Sequence, residues 1–423
     1  MQLPPGRGEG GARLLLTAAG SGAYAPRKAG SMTRRMRVFV IASFVALYGM
    51  NAVMFALLMR PEGIRLHAPI AGIALPRETT VLGDAWIRDG ISRIEVRVRD
   101  EATGASWTVP AERDAIRYQG EVVSRLAAWR AKVSFPSDGR YSLSAAAVGA
   151  DGRVVETRAR TVSASTAAVS REFVFLSPAH LAALAVILLA CIAVPWAVRR
   201  AKSDVVRDRV AFAIVLALYV HEVAYEVYWF AIGAWTLGNC MLLHMCALAL
   251  MFLPVLYFSR DGFPRQVLFE LLFFFGLGGA MQALFTPDIG MHGFPEFKYF
   301  NYFFSHGTIV LGMVYAAVLY RFELTWKSWI RISVGTISMC LVMFGFNRLF
   351  LLIPPYEVGN YFAMGYPPPT GSVIDVFANI FGPAPRYLVG LTGMGLVLLG
   401  ILYLPYPIRR ALRRRAAVRV SRV

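Results

Sequence analysis

Cys246 and His306 are the side chains in this sequence best equipped to do chemistry. A thiol becomes a nucleophile when a general base takes its proton, and a neutral imidazole is a common base for that step. The chain has only four Cys and six His. Two apolar stretches carry them together or in parallel: Met241-Leu242-Leu243-His244-Met245-Cys246 and Phe303-Phe304-Ser305-His306-Gly307. A charged side chain at the centre of a membrane span costs about 3 kcal/mol, so such residues face a bundle interior or a water-filled cavity.

Three chemical readings stay open on the residues alone. The first is thiol chemistry, with Cys246 as nucleophile, His306 as base and a carboxylate or amide orienting the ring. The second is a metal site from His221, His244, His306 and a Glu. No His-x-x-x-His or Cys-x-x-Cys spacing supports it, so neither a metal nor a cofactor is expected. The third is a structural network in which Glu226 or Glu222 pairs with Arg348 and Asn347 satisfies His306. No Walker loop, dinucleotide glycine pattern or Gly-x-Ser-x-Gly elbow occurs.

The elements that must hold these residues are membrane helices. A chain that is 57% hydrophobic and 17% charged is not an ordinary soluble domain. Eight segments have the length and hydropathy of spans: approximately 38–58, 178–198, 210–232, 239–258, 267–286, 301–320, 330–353 and 387–405. The net charge of +18 is explained by where it lies. With the N-terminus inside, the cytoplasmic segments are strongly basic, whereas the short loops on the other side carry only Lys298 and Arg386. The basic tail 409–423 then reads as an anchor on anionic lipid, and no nucleic-acid partner is expected. Both termini fall inside. Arg far outnumbers Lys, as GC-rich coding produces, which points to a bacterial inner membrane. Cys191, Cys240, Cys246 and Cys340 all lie in or beside spans, so no disulfide framework is implied.

The chain divides into a disordered basic N-terminus (1–37), a first transmembrane helix (38–58), an exported domain (59–175), a seven-span bundle (176–408) and the tail (409–423). In the exported domain, Ile91–Arg99 alternates apolar and polar with period two, and shorter runs near 129–135, 141–143 and 153–157 repeat the pattern. Asp-Gly and Thr-Gly turn signals separate them, which predicts an immunoglobulin-like β-sandwich. The fold class is therefore a polytopic α-helical membrane protein with an inserted β-sandwich. The stretch Pro354–Pro385 reads as one long outer loop, a lid or binding element.

At a rise of about 1.5 Å per residue, Cys246, His244, His306, Glu226, Asn347, Arg348 and Gln282 all lie about 6–10 Å below the outer boundary, with Glu222 nearer 15 Å. Glu222, Tyr225, Glu226 and Trp229 share one helix face. Asn239 and Cys246 share a face of span four, whereas His244 points nearly the opposite way, so His244 and Cys246 cannot both face one narrow pocket centre.

Leu242–Cys246, Gly278–Asp288 and Phe303–Gly307 resemble the YwaF-like family of integral membrane proteins. Glu222–Trp229, Asn347, Asn360-Tyr361, Ser372, Asp375 and Gly382-Pro383 fit its pattern, and the resemblance covers about 175–405. A related eukaryotic branch looks like lysophospholipid acyltransferases. The resemblance thus implies acyl transfer or lipid-ester hydrolysis, with Cys246 acylated after deprotonation by His306. Asn347 or Glu226 would orient the ring, and Gln282, Glu222, Trp229, His244 and Arg348 would line the substrate site. Many members follow the Cys with an acidic residue; here Ala247 follows, leaving any such role to Glu226. Membrane lipids are the expected partners, and the exported domain offers a second place for an envelope ligand. The alternative to an enzyme is a binding or sensory protein that uses that domain.

Overall fold

A computed structural model describes residues 34–70, 74–118, 121–168, 172–259, 262–287, 289, 292–320, 322, 324–357, 359–364, 373–382, 386–408 and 410–412. The expected disorder of 1–31, most of the basic tail and the Pro367–Pro369 run fall outside them.

The chain begins its described part with helix α1 (Arg34–Leu58) and then forms ten strands: β1 (Gly63–Ala68), β2 (Ala74–Leu75), β3 (Glu78–Trp86), β4 (Ile91–Asp100), β5 (Ser106–Pro110), β6 (Glu112–Tyr118), β7 (Glu121–Ser134), β8 (Gly139–Gly149), β9 (Val154–Glu156) and β10 (Arg160–Ala164). One sheet has the order β1-β3-β7-β6 and the other β2-β10-β8-β4-β5, with β9 beside β8. Alternate residues point inward, as period two requires. Val81, Trp129, Ala131 and Val133 from the first sheet meet Ile94, Val96, Val98, Leu143 and Val162 from the second in one buried core. Gly90, Gly104 and Gly152 adopt positive φ at the turns where Gly was expected to permit it.

The bundle comes next as α2 (Pro178–Ala201), α3 (Asp204–Ala231), α4 (Leu237–Cys240), α5 (Met245–Phe258), α6 (Phe263–Leu272), a π-helical stretch (Phe273–Gly278), α7 (Gly279–Phe285), α8 (Phe297–Leu319), α9 (Trp326–Phe350), α10 (Val373–Phe381) and α11 (Tyr387–Tyr403). The helix ends carry readable signals. Ser177 accepts the His180 N–H at the start of α2, with Pro178 in the first turn and Arg199 and Arg200 in the last. Ser203 caps α3, and Thr325 forms a reciprocal capping box with Ser328 on α9. Many apolar side chains face outward, among them Val186, Leu189, Leu341 and Val389. Lipid, not water, is the environment in which such faces are stable.

Among the described residues, seven helices are long and apolar enough to cross a membrane, with α6, the π stretch and α7 counted as one. The fourth expected span is not a continuous helix. It is broken at Met241–His244, and α5 has 14 residues. At about 1.5 Å per residue that is roughly 21 Å, short of a hydrocarbon core of about 30 Å. Pro354–Pro385 also differs from expectation, because it contains a 3-10 turn at Tyr361–Ala363 and the nine-residue α10.

The sandwich is seated on one end of the bundle. Arg65 on β1 donates to the Trp235 carbonyl (3.1 Å), and Arg160 on β10 donates to the carbonyl of Ile232. Trp86 and Leu126 of the sandwich share an apolar cluster with Tyr356 and Leu351 of the bundle.

Candidate functional site

The break in the fourth span sets the geometry around Cys246. His244 is extended (φ −71°, ψ 153°) and stands as the N-cap of α5, which makes Cys246 the second residue of that helix. The Ala247 and Leu248 N–H groups both donate to the His244 carbonyl, at 3.0 and 3.3 Å. Met245 and Cys246 are left with N–H groups that have no acceptor within the helix, as the first residues of any helix are. A helix start is also the positive end of the macrodipole. Behind the thiol, Gly279 brings the backbone of α7 close: a Cβ there would lie 3.5 Å from the Cys246 sulfur.

The break also overturns the helical-phase argument for His244 and Cys246. That argument assumed one uninterrupted helix from Asn239, and an extended residue at 244 resets the phase. The His244 Nε2 faces the Gly238 carbonyl at 3.3 Å, and its ring lies 4.6 Å from that of Tyr361. A carbonyl oxygen only accepts, so the proton of the neutral ring belongs on Nε2.

His306 is oriented by its own helix. Its Nδ1 lies 2.9 Å from the Tyr302 carbonyl, so Nδ1 carries the proton and Nε2 keeps its lone pair. The Tyr302 hydroxyl donates to the Ala283 carbonyl (3.1 Å), tying α8 to α7. His221 makes a parallel arrangement: Nε2 faces the Asn301 carbonyl (3.1 Å), while Nδ1 is buried with no partner among the described residues. His244 and His221 each lie within electrostatic reach of His306. No hydrogen bond joins Cys246 to His306 among the described residues. Nor does any group of three His, Cys, Asp or Glu there have the geometry to hold a metal ion.

The carboxylates form a second set. Glu226 is fully buried; one oxygen accepts from the Trp235 indole N–H and the other, Oε1, has no partner among the described residues. Glu222 stands one turn earlier on α3, within electrostatic reach of Glu226 and of the Tyr48 hydroxyl of α1. Trp229 is buried on the same side, with its ring near those of Tyr225 and Tyr228.

Other expected site residues are elsewhere. The Asn347 amide is spent on the backbone of Tyr361, donating to its carbonyl (3.0 Å) and accepting its N–H (3.1 Å), not on an imidazole. Arg348 is exposed and lies over the Phe344 ring (5.7 Å), so the Glu–Arg pair does not form. Gln282 is exposed. Residues that sequence reasoning missed take part instead. Glu357 accepts from the Leu237 N–H (2.8 Å) and the Gly238 N–H (3.1 Å), capping α4. The Tyr361 hydroxyl donates to the Leu237 carbonyl. Their only local signal is a carboxylate and tyrosines in a Pro-rich loop, because the partners lie more than a hundred residues away.

All of these bundle residues fall in one stretch of recognisable sequence. Residues 175–403, more than half of the chain, match the TMEM164 family. The chain belongs to the TMEM164 family. The TMEM164 match runs from just before α2 to the end of α11, leaving α1 and the sandwich outside it. No curated protein matches the sequence. A solved structure of Astrotactin-2, described as a conserved vertebrate-specific and perforin-like membrane protein involved in neuronal development, is 14% identical over 50% of this chain. The match spans 38% of that chain at a TM-score of 0.17, too low to indicate a shared fold.

Proposed function

We propose that this TMEM164-family protein transfers or hydrolyses acyl groups of membrane lipids through a Cys246 thioester. The observation that carries the reading is the position of Cys246 as the second residue of a helix that starts inside the bundle. The N–H groups at a helix N-terminus suit a developing oxyanion. Irregular backbone at membrane depth is tolerated where it lines a cavity or is buried in protein.

His306 Nε2 takes the Cys246 proton, and the thiolate attacks the ester carbonyl of a lipid. The tetrahedral oxyanion is met by the Met245 and Cys246 N–H groups. The C–O bond breaks, and the departing lysolipid alkoxide takes the proton from His306. A second lysolipid hydroxyl, or water, then gives a proton to His306 and attacks the thioester; the C–S bond breaks and the thiol is restored. The Tyr302 carbonyl holds the ring throughout, with Glu222, Glu226 and Trp229 lining the lipid site. The YwaF-like resemblance and its acyltransferase branch agree with this chemistry.

On this reading the protein is an inner-membrane protein with eight spans, the broken one included, both termini inside and the sandwich outside. We also read the sandwich as immunoglobulin-like. The sheet orders β1-β3-β7-β6 and β10-β8-β4 support this, as does a tyrosine corner in which the Tyr141 hydroxyl donates to the Ser137 carbonyl at 2.9 Å. A binding or sensory role for the sandwich is the second reading, favoured by its buried contacts with the bundle.

The test is lipid turnover in proteoliposomes together with labelling by a lipid-like thiol-reactive probe. Cys246→Ala should abolish both. Undiminished turnover in that variant would sink the thioester mechanism.

A further inference from the structure

One ion pair links the sandwich to the turn that carries Cys246. Arg65 is buried and grips Asp84 with both ends of its fork, Nε at 2.7 Å and Nη2 at 2.6 Å. Its remaining Nη1 reaches out of the sandwich to Glu357 at 3.3 Å and to the Trp235 carbonyl at 3.1 Å. The Trp86 ring covers the guanidinium at 4.9 Å. Glu357 is buried as well, and its two oxygens also accept the first two N–H groups of α4. The Gly238 carbonyl of α4 receives the His244 imidazole, and His244 is the N-cap of α5. From Arg65 to the start of α5 there are thus three links, each a hydrogen bond: guanidinium to carboxylate, carboxylate to peptide, peptide to imidazole.

We propose that Glu357 is a positioning residue for the Met241–Cys246 turn and that the sandwich, through Arg65, sets where Cys246 stands. Nothing in the TMEM164 match covers Arg65, since the sandwich lies outside residues 175–403. The reasoning is electrostatic and steric. Four residues are too few to hold α4 as a helix by themselves, so its direction depends on what binds its ends. A carboxylate at the start and a tyrosine hydroxyl on the Leu237 carbonyl fix it, and a buried carboxylate without its cation is a poor anchor because it seeks water or a proton. Loss of Arg65 therefore loosens α4, and the His244 cap with it. The functional half of this proposal, an effect on lipid turnover, rests on the thioester reading; the structural half does not.

The experiment is site-resolved alkylation in membranes of the full chain. N-ethylmaleimide labelling of Cys246 is followed by mass spectrometry of its peptide, with Cys340 on α9 and Cys191 on α2 as internal references. Glu357→Gln and Arg65→Lys should each change the Cys246 rate relative to Cys340 by about fivefold or more, the factor that loss of a helix cap typically brings. If Glu357→Gln alters all three cysteines together, the bundle itself has loosened, and the milder Arg65→Lys decides. A Cys246-to-Cys340 ratio within twofold of wild type in Arg65→Lys overturns the proposal, whether or not Glu357→Gln folds. Turnover by the same variants is read separately as kcat and KM, with kcat expected to fall more than KM rises. If Cys246→Ala leaves turnover intact, the enzyme reading fails while the labelling ratio still judges the latch.

Discussion

The His306 Nδ1 donates to the carbonyl of Tyr302, four residues earlier on the same helix, at 2.9 Å. The ring is therefore held by backbone that no side-chain substitution can remove, and its Nε2 is the nitrogen left to act on a neighbour. His306→Gln keeps a side-chain amide that can still donate to the Tyr302 carbonyl, but it has no basic nitrogen. Lipid turnover should fall by roughly 10²–10⁴-fold, the usual worth of a general base. The thermal midpoint should change little. A Gln variant with near-normal turnover would remove His306 from the chemistry.

Gly279→Ala tests the seat of the thiol. The new methyl would stand 3.5 Å from the Cys246 sulfur, in contact but without overlap, so folding should be nearly unaffected. Gly279→Val adds branches that must overlap the sulfur or displace it, at a cost of about 1–3 kcal/mol. Cys246 alkylation should be close to wild type in the Ala variant and strongly altered in the Val variant, with Cys340 as reference.

Asn347→Leu removes both hydrogen bonds to Tyr361 and leaves its buried carbonyl and N–H bare. Thermal stability in detergent should drop by about 2–4 kcal/mol. Asn347 acts on backbone and not on His306, so the shape of the turnover pH profile should stay as in wild type. A shifted profile would return Asn347 to the imidazole.

Asp84 supplies a pH dependence. Burial raises its pKa, but the guanidinium of Arg65 and the ring of His67 (3.1 Å) outweigh this and hold the carboxyl below the ordinary carboxylate range. A depressed carboxylate contributes stability that is fully present above its unfolded pKa, near 4, and is lost as pH falls through the lower folded value. Asp84→Asn should cost about 3 kcal/mol at pH 7, because it takes the two-pronged partner from a buried guanidinium and leaves Glu357 at 3.3 Å as its carboxylate. The gap to wild type should narrow progressively as pH falls below about 4. Hydrogen exchange of β3 at pH 7 and pH 3 measures it; a gap that widens on acidification contradicts the ion pair.

How much could be read in advance depended on the range of the forces involved. Strand β4 was legible because Ile94, Val96 and Val98 alternate with Arg93, Glu95 and Arg97, and a residue's face in a strand depends only on its parity. The start of α5 was not legible. Met241-Leu-Leu-His-Met-Cys contains no Gly or Pro, and the turn is held by Glu357 and Tyr361 from more than a hundred residues downstream. Gln282 was placed in the polar layer by its depth along a regular helix. The π stretch at Phe273–Gly278 lies before it, and such a stretch accommodates an extra residue and rotates the remainder of the helix. Arg348 was expected to need a carboxylate, yet it lies exposed over Phe344. His221, Glu222, Glu226 and His306 each stand out in apolar sequence, and the structure has Glu226 buried and the other three half-buried.

The sandwich is held at both ends by membrane helices, with four residues between Leu58 at the end of α1 and Gly63 at the start of β1. Such a short tether keeps Arg65 near Glu357 even when the pair has parted. The two meet at an effective concentration set by the linker and not by how much protein is present, of the order of millimolar for short connections. Re-formation of the pair is therefore independent of expression level and of dilution into detergent. A soluble copy of the sandwich added in trans would compete poorly against the attached one.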